Sequence, residues 1–187
     1  TGGREKELNR QLKGIRKNLR FRTGAEGDIE NIMELIADAQ SWFRKQGIDQ
    51  WQDGYPTRDI ISSDVQGGVN YVIEYNGVTV ATAVISFTGE PTYLEIKGKG
   101  WQNGNPYAVV HRIAVADKYR RMGIAKELLY FAEELCAERG VSDIRIDTHI
   151  DNKPMRGLLK KIGYTHCGRI TLISGAYREA YHKEIKR

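Results

Sequence analysis

Cysteine is scarce in this chain: only Cys136 and Cys167 occur among its 187 residues. One falls on a predicted helix face and one in a predicted strand, so the pair reads as small buried hydrophobes in a reducing compartment and not as a disulfide framework. Long apolar runs are also missing. None approaches the roughly 20 residues of a membrane span, and the charged residues 1–20 hold no apolar core of a signal peptide. A cytoplasmic chain with no membrane partner is therefore expected. The four histidines, His111, His149, His166 and His182, lie in four separate segments without a local ligand spacing, so no metal is expected. Internal repeats, low-complexity linkers and nucleic-acid motifs are absent. The formal charge of +5 suits an anionic partner, but Lys and Arg are mixed with Asp and Glu throughout, which reads mostly as a solvated surface; only the net charge speaks for a nucleic-acid-binding domain, and no nucleic-acid partner is expected.

What is present is enough hydrophobic sequence, 40%, for one sizeable core and a single domain. Leu8, Leu12, Ile15 and Leu19 recur at spacings of four, three and four, which places a narrow apolar stripe on a helix over residues 5–19. Residues 1–18 are accordingly expected as an appended amphipathic helix or tail, docked on the domain or pairing with a second copy in a homodimer. Residues 19–187 form the domain. A first strand follows over 20–23. Asp28 is positioned to cap a helix burying Ile29, Ile32, Met33, Ile36, Ala37 and Phe43, with Gly47 ending it. In residues 51–57, Asp53-Gly54 supplies turn chemistry and Thr57 a second cap, while Trp51 and Tyr55 either pack on the core or line a pocket. Residues 69–75 and 78–87 form a hairpin about Asn76-Gly77. The glycine-rich residues 88–105 read as an extension of that hairpin or a mobile loop.

From residue 107 the order becomes strand 107–115, helix 124–139, strand 142–148, helix 153–162, and strands 164–173 and 176–185. Strand, helix, strand implies a right-handed parallel crossover, and the last pair an antiparallel hairpin, so the sheet is mixed. Between the first strand of this series and its helix lies Tyr119-Arg120-Arg121-Met122-Gly123-Ile124-Ala125. A helix N-terminus leaves backbone N–H groups without intrahelical partners at the positive end of the helix dipole. Gly123 has no Cβ to hold an anion away, and Arg120 and Arg121 add planar donors. The segment reads as a diphosphate cradle, and it lacks the second glycine and the Lys-Ser/Thr ending of a nucleotide P-loop.

The spacing Arg-x-x-Gly-x-Ala, at Arg120, Gly123 and Ala125, resembles the acyl-CoA signature of the GNAT superfamily of N-acetyltransferases. Element order over residues 19–185 is similar to that superfamily, and Asp151-Asn152 followed by a helix and Gly163-Tyr164 resembles a second of its patterns. The resemblance implies an α+β fold of three layers: a central mixed, mostly antiparallel sheet with a parallel, splayed strand pair, flanked by helices. It implies acetyl-CoA as co-substrate and no metal. Ile113, Ala114 and Val115 would follow the pantetheine arm, Arg120, Arg121, Met122, Gly123, Ile124 and Ala125 would surround the pyrophosphate, and Asn152 would contact CoA. Asn152 is also a good helix N-cap, with Pro154 tolerated in the first turn. The implied activity is direct transfer of an acetyl group to a primary amine of a small molecule, amino acid or peptide, with Trp51 and Tyr55 near the acceptor. The alternative is a CoA-binding regulatory module without turnover.

Two positions depart from the pattern. The tyrosine that many members carry seven residues after the Asn is Leu159 here, within an apolar stripe of Met155, Leu158, Leu159 and Ile162, and it cannot donate a proton. The strand glutamate is replaced by Val109. Two residues further along stands His111, in the position other members use for a base. Strict alternation puts it on the face of Val109, Ile113 and Val115, as a base or as a neutral imidazole satisfied by a backbone group. For the thiolate's proton the candidates are His149, just past strand 142–148, and Tyr181 in the last strand, each equally readable as a packing or surface residue.

Overall fold

The computed structural model describes residues 15–185. Leu8 and Leu12 of the N-terminal stripe lie outside the described residues. Leu19 leaves the expected helix and opens β1 (Leu19–Thr23), which pairs antiparallel with β2 (Asn70–Tyr75) from Leu19↔Tyr75 to Thr23↔Tyr71. Its side chain packs against the main core, so the ladder and the apolar contact together override the helical period. Arg16 ties this end down: its Nη2 donates to Glu134 at 2.7 Å and its guanidinium lies 4.5 Å from the Phe21 ring centre.

The hairpin of β2 and β3 (Val78–Ser86) turns at Asn76 (φ +50°) and Gly77 (φ +80°), the left-handed pair that a two-residue connection requires. α1 (Ile29–Lys45) buries Ile29, Ile32, Leu35, Ile36, Ala39 and Phe43; Leu35 and Ala39 complete the face, and Ala37 is exposed. Asp28 makes no side-chain cap to α1. Its carboxylate accepts the Ala25 N–H at 2.8 Å and pairs with Arg22 at 2.7 Å, a charge-assisted contact that outcompetes the helix end. α2 (Arg58–Gln66) is capped by Thr57, whose Oγ1 accepts the Ile60 N–H at 3.4 Å.

Residues 88–105 are neither a hairpin extension nor a free loop. After a 3-10 turn at Pro91–Tyr93 they cross one face of the sheet and add β4 (Ile96–Gly98) to its far edge, beside β7 (Thr165–Thr171). Tyr93 and Trp101 pack there with Val109, Ile170 and Ala180, and burial of two aromatics fixes the segment. Glycine permits the close approach, because a Cβ on Gly168 (φ +138°) would sit 2.1 Å from the Lys97 carbonyl oxygen.

β5 (Tyr107–Val115), α3 (Ile124–Glu138), β6 (Asp143–Thr148) and α4 (Lys153–Lys161) follow, then β7 and β8 (Tyr177–Glu184). The strand order is β1-β2-β3-β5-β6-β8-β7-β4, with β5 and β6 parallel and the other recorded neighbours antiparallel. Ala108, Val110 and Ile146 pack with Leu128, Leu129 and Leu159 of α3 and α4 on one face. On the opposite face Val72 and Ala114 pack with α1 and α2. Alternation along each strand thus feeds two cores, and three layers result. No helix among the described residues is long and apolar enough to cross a membrane.

Candidate active site

β5 carries the irregularity on which the site is built. Against β3 its register runs Val110↔Ile85 and His111↔Val84, then resumes at Ala114↔Thr82, so Arg112 and Ile113 together face Ala83 in a β-bulge. Arg112 takes φ +51°, a value non-glycine residues rarely adopt. Its side chain holds it there: Nε and Nη2 donate to the two oxygens of Asp64 at 2.8 and 2.9 Å, and Nη1 donates to the Tyr55 hydroxyl at 2.6 Å. The extra residue reverses the alternation. Ile113 and Val115 pack on the α3 side with Val110, whereas Val109 packs on the opposite face. His111 therefore does not share a face with Ile113 and Val115, contrary to strict alternation.

On its other edge, β5 pairs with β6 only from Tyr107↔Asp143 to Val110↔Ile146. Beyond that point the strands part, and the β5 backbone groups directed toward β6 have no ladder partner. A cavity of about 610 Å³ opens at the split. His111 and Ile113 line it from β5, Asp147 and Thr148 from β6, Asn152 and Met155 from the start of α4, and Arg178 from β8. Residues 49–53, Tyr55, Glu90 and Thr92 close it.

His111 faces an acid. Its Nε2 lies 3.1 Å from Glu90 Oε2, while Glu90 Oε1 accepts the Thr92 N–H at 3.1 Å and the Thr92 hydroxyl at 2.9 Å. The histidine contact, reinforced by Thr92, outweighs burial and brings the Glu90 carboxyl down to about 2, so it is ionised at neutral pH. An ionised Glu90 fixes the tautomer: Nε2 carries the hydrogen and donates, leaving Nδ1 as the proton acceptor. Asp147 is held in turn by Tyr93, whose hydroxyl donates to Oδ2 at 2.7 Å. Burial raises the Tyr93 phenol well above its ordinary value, so it remains a donor.

Trp51 fulfils both readings of its aromatic ring, packing edge-on against Phe43 at 5.6 Å between centres and lining the cavity. Tyr55 joins it there. Asn152 caps α4, its Oδ1 accepting the Met155 N–H at 3.2 Å, and its Nδ2 donates to Gln50 Oε1 at 3.2 Å. Ala114 belongs to the α1 core. His149 and Tyr181 are not among the cavity-lining side chains. Tyr181 is buried on the α3 side with its hydroxyl accepting from Arg156 Nε at 3.0 Å, and His149 Nδ1 accepts the Asp151 N–H at 3.1 Å. The residues that sequence reasoning missed are Glu90, Tyr93, Asp147, Arg112 and Arg178. For Asp147 a signal existed, since Asp143, Arg145 and Asp147 alternate with Ile144 and Ile146 and mark a polar face on a central strand. Glu90 carried none.

The cradle lies beyond the other end of the bulge. A 3-10 turn at Asp117–Tyr119 leads to Arg120, then Arg121 (φ +64°) and Gly123 (φ +82°) turn left-handed and α3 begins at Ile124. Among the described residues no side chain caps this helix, and the Glu127 N–H makes the bond back to Gly123 at 3.1 Å, which leaves the preceding amides open to an anion. Arg120 lies over the Trp42 ring at 4.8 Å. Its Nε is 3.0 Å from Asp117 Oδ1, an ion pair, and among the described residues neither Nε nor Nη2, both buried, has a partner of hydrogen-bond geometry. Burial lowers the pKa of this guanidinium more than Asp117 raises it. Orphaned donors beside open backbone amides fit the diphosphate of CoA.

The family model described as "Acetyltransferase (GNAT) family" matches residues 35–164. A GNAT family acetyltransferase from Streptococcus agalactiae 2603 superposes with a TM-score of 0.82 and 33% identity, over 90% of this chain and 96% of that one. The Bacillus subtilis (strain 168) protein named uncharacterized N-acetyltransferase YesJ is 23% identical over 143 residues, 75% of this chain and 78% of that protein. A PaiA N-acetyltransferase from Thermoplasma acidophilum, solved in complex with coenzyme A, shares the fold at a TM-score of 0.66 and 14% identity, over 89% and 98% of the two chains. The matched model spans well over half of the residues, and the chain belongs to the acetyltransferase (GNAT) family.

Proposed function

We propose that this acetyltransferase carries the acetyl group of acetyl-CoA to a primary amine held in the cavity, with His111 as the base. The observation that carries the reading is the His111–Glu90 pair, 3.1 Å apart on the cavity wall where β5 and β6 separate. The amine nitrogen bonds to the thioester carbonyl carbon, the carbon–sulfur bond breaks, the amine's proton passes to His111 Nδ1 directly or through water, and the sulfur leaves as thiolate. Glu90 offsets the positive charge that the imidazole acquires. No acyl-enzyme is needed, because holding both reactants in one cavity removes much of the entropic barrier.

Arg120 to Ala125 would hold the diphosphate, and the unpaired edge of β5 at Ile113, Ala114 and Val115 the pantetheine arm. Asn152 already spends its amide on Met155 and Gln50, so its support for the arm is through placing the start of α4. Tyr181 is engaged with Arg156 on the other face, and protonation of the thiolate is left to water. A thiolate leaves a tetrahedral intermediate far more readily than a deprotonated amine nitrogen does, so departure demands an acid less than attack demands a base. Replacing His111 by Ala should lower kcat/KM by about 10²-fold while CoA affinity holds. The pH–rate profile decides: the parent's acidic limb should vanish in the variant, and an unchanged limb would return His111 to a structural role.

A further inference from the structure

Two guanidinium groups reach the cavity, and they are matched differently. Arg112 is held by both oxygens of Asp64. Arg178, on β8, is only 9% exposed, and its recorded hydrogen bond runs from Nη1 to the backbone carbonyl of Tyr177 at 2.9 Å. Among the described residues no carboxylate stands within ion-pairing distance of it. Asp147, Asp49 and Asp53 act on it from further off, and burial works against its charge more strongly than they support it. A buried guanidinium in that condition gains most from an anion arriving with a ligand, which its planar fork can take through two parallel N–H···O bonds.

The same cavity presents fixed negative charge. Asp147 is locked by the Tyr93 hydroxyl, and Glu90 stands ionised beside His111. A diamine or other carboxylate-free amine would satisfy these acids and leave Arg178 stranded once water is expelled. A ligand with a carboxylate close to its amine satisfies both signs and brings the ammonium among the acids, next to the group that takes its proton.

We infer that the acceptor is a primary amine carrying a carboxylate, an α-amino acid in the simplest case, and that Arg178 anchors it through that carboxylate. The inference rests on the acetyl transfer proposed above. The rival is that the three distant acids suffice for Arg178 and carboxylate-free amines react equally well.

The test uses the full chain with acetyl-CoA, a panel of α-amino acids, and the amine left when each loses its carboxylate, such as phenylalanine with phenethylamine and lysine with cadaverine. CoA thiol release gives kcat/KM, and titration of each compound into CoA-loaded protein gives affinity. The best acceptor should be an amino acid favoured at least about tenfold over its decarboxylated partner, because a site built for a charged group rejects the analogue lacking it. Arg178→Gln should collapse that ratio to within about threefold of unity, and Arg178→Lys should keep part of it. Thermal stabilisation by CoA reports that each variant is folded. A best acceptor without a carboxylate, or a ratio untouched by Arg178→Gln, overturns the inference and leaves acetyl transfer standing. If no amine is acetylated, the transfer reading falls, and titration decides the anchor: amino-acid binding weakened tenfold or more in Arg178→Gln upholds it, and no binding overturns it.

Discussion

Arg112 sets the geometry of the site through one unusual backbone angle. A bulky residue at φ +51° costs on the order of 1–3 kcal/mol, and the forked pairing with Asp64 and the bond to Tyr55 offset that cost. Removing the acid leaves a largely buried guanidinium uncompensated. Asp64→Ala should therefore destabilise the protein by about 3 kcal/mol, the low end for such pairs because some solvent reaches this one. The double change Asp64→Ala with Arg112→Met should recover part of the loss in urea unfolding, since it removes the stranded charge; equal instability of the two variants would mean that the stranded charge is not the source of the loss. None of this was legible in Val109-Val110-His111-Arg112-Ile113. No glycine announces the bulge, and the acid that stabilises it lies 48 residues away in the chain.

Elements with a strong period or strong punctuation were legible nearly to the residue. α3 was expected over 124–139 and runs Ile124–Glu138; the hairpin turn fell at Asn76-Gly77 as its chemistry required. The N-terminus of α3 gives a direct test. Acetyl-CoA should raise the melting temperature with the logarithm of its concentration, and Gly123→Glu should abolish the rise by adding bulk and like charge where open amides meet Arg120. Undiminished stabilisation of the variant would remove the diphosphate from this turn. β4 was invisible because three residues at a sheet edge have no period to read; of the glycines that admit it, Gly98 lies in the segment read as a loop and Gly168 inside the expected strand 164–173, with nothing local to pair them. Gly168→Ala places a Cβ 2.1 Å from the Lys97 oxygen, so β4 should detach. Faster amide exchange at 96–98 is expected, together with a fall in kcat/KM of about tenfold or more, because the segment that adds β4 also carries Glu90 to His111. Exchange rates matching the parent would show that the edge tolerates the methyl.

Across the whole molecule, a buried polar latch closes the returning segment onto the sheet. His182 and Asp143 are both fully buried, with Nε2 at 2.7 Å from Oδ1, and the Gln102 N–H donates to His182 Nδ1 at 3.2 Å. Ser142 and Asn103 also donate to Asp143, at 2.5 and 2.7 Å. Burial pushes Asp143 up, but its hydrogen bonds win and hold it at about 2 against an ordinary 3.8. Burial also depresses His182 below its ordinary 6.5, more than Asp143 raises it. The signs then follow. The unfolded chain binds the histidine proton more readily, so stability falls as pH drops below about 6.5. The carboxylate's contribution is complete above about 3.8 and is lost toward about 2, a window that Glu90 shares. The melting temperature should be level between pH 7 and 8, decline below about 6.5, and fall more steeply below about 4. His149, which burial also holds below its ordinary value, adds to the first decline, so His182→Gln, which can still donate to Asp143, should shrink that decline and keep the second; a first decline of unchanged size would place the neutral-range titration elsewhere.

Local chemistry by itself determined the order of elements from residue 107 onward, the hairpin, the glycine-containing turn that opens α3 and the presence of a histidine in the central strand. Each depends on contacts within a few residues: a helical or strand period, a turn pair, an uncapped helix start. Only the tertiary structure decided which way His111 faces, that Glu90 stands beside it, that β4 joins the far edge, and that Arg178 enters the cavity with no carboxylate of the described residues within ion-pairing distance. Those features arise from a bulge, a crossover and the parting of two strands, and all three are set by pairing between segments remote in the chain, to which a one-dimensional period is blind.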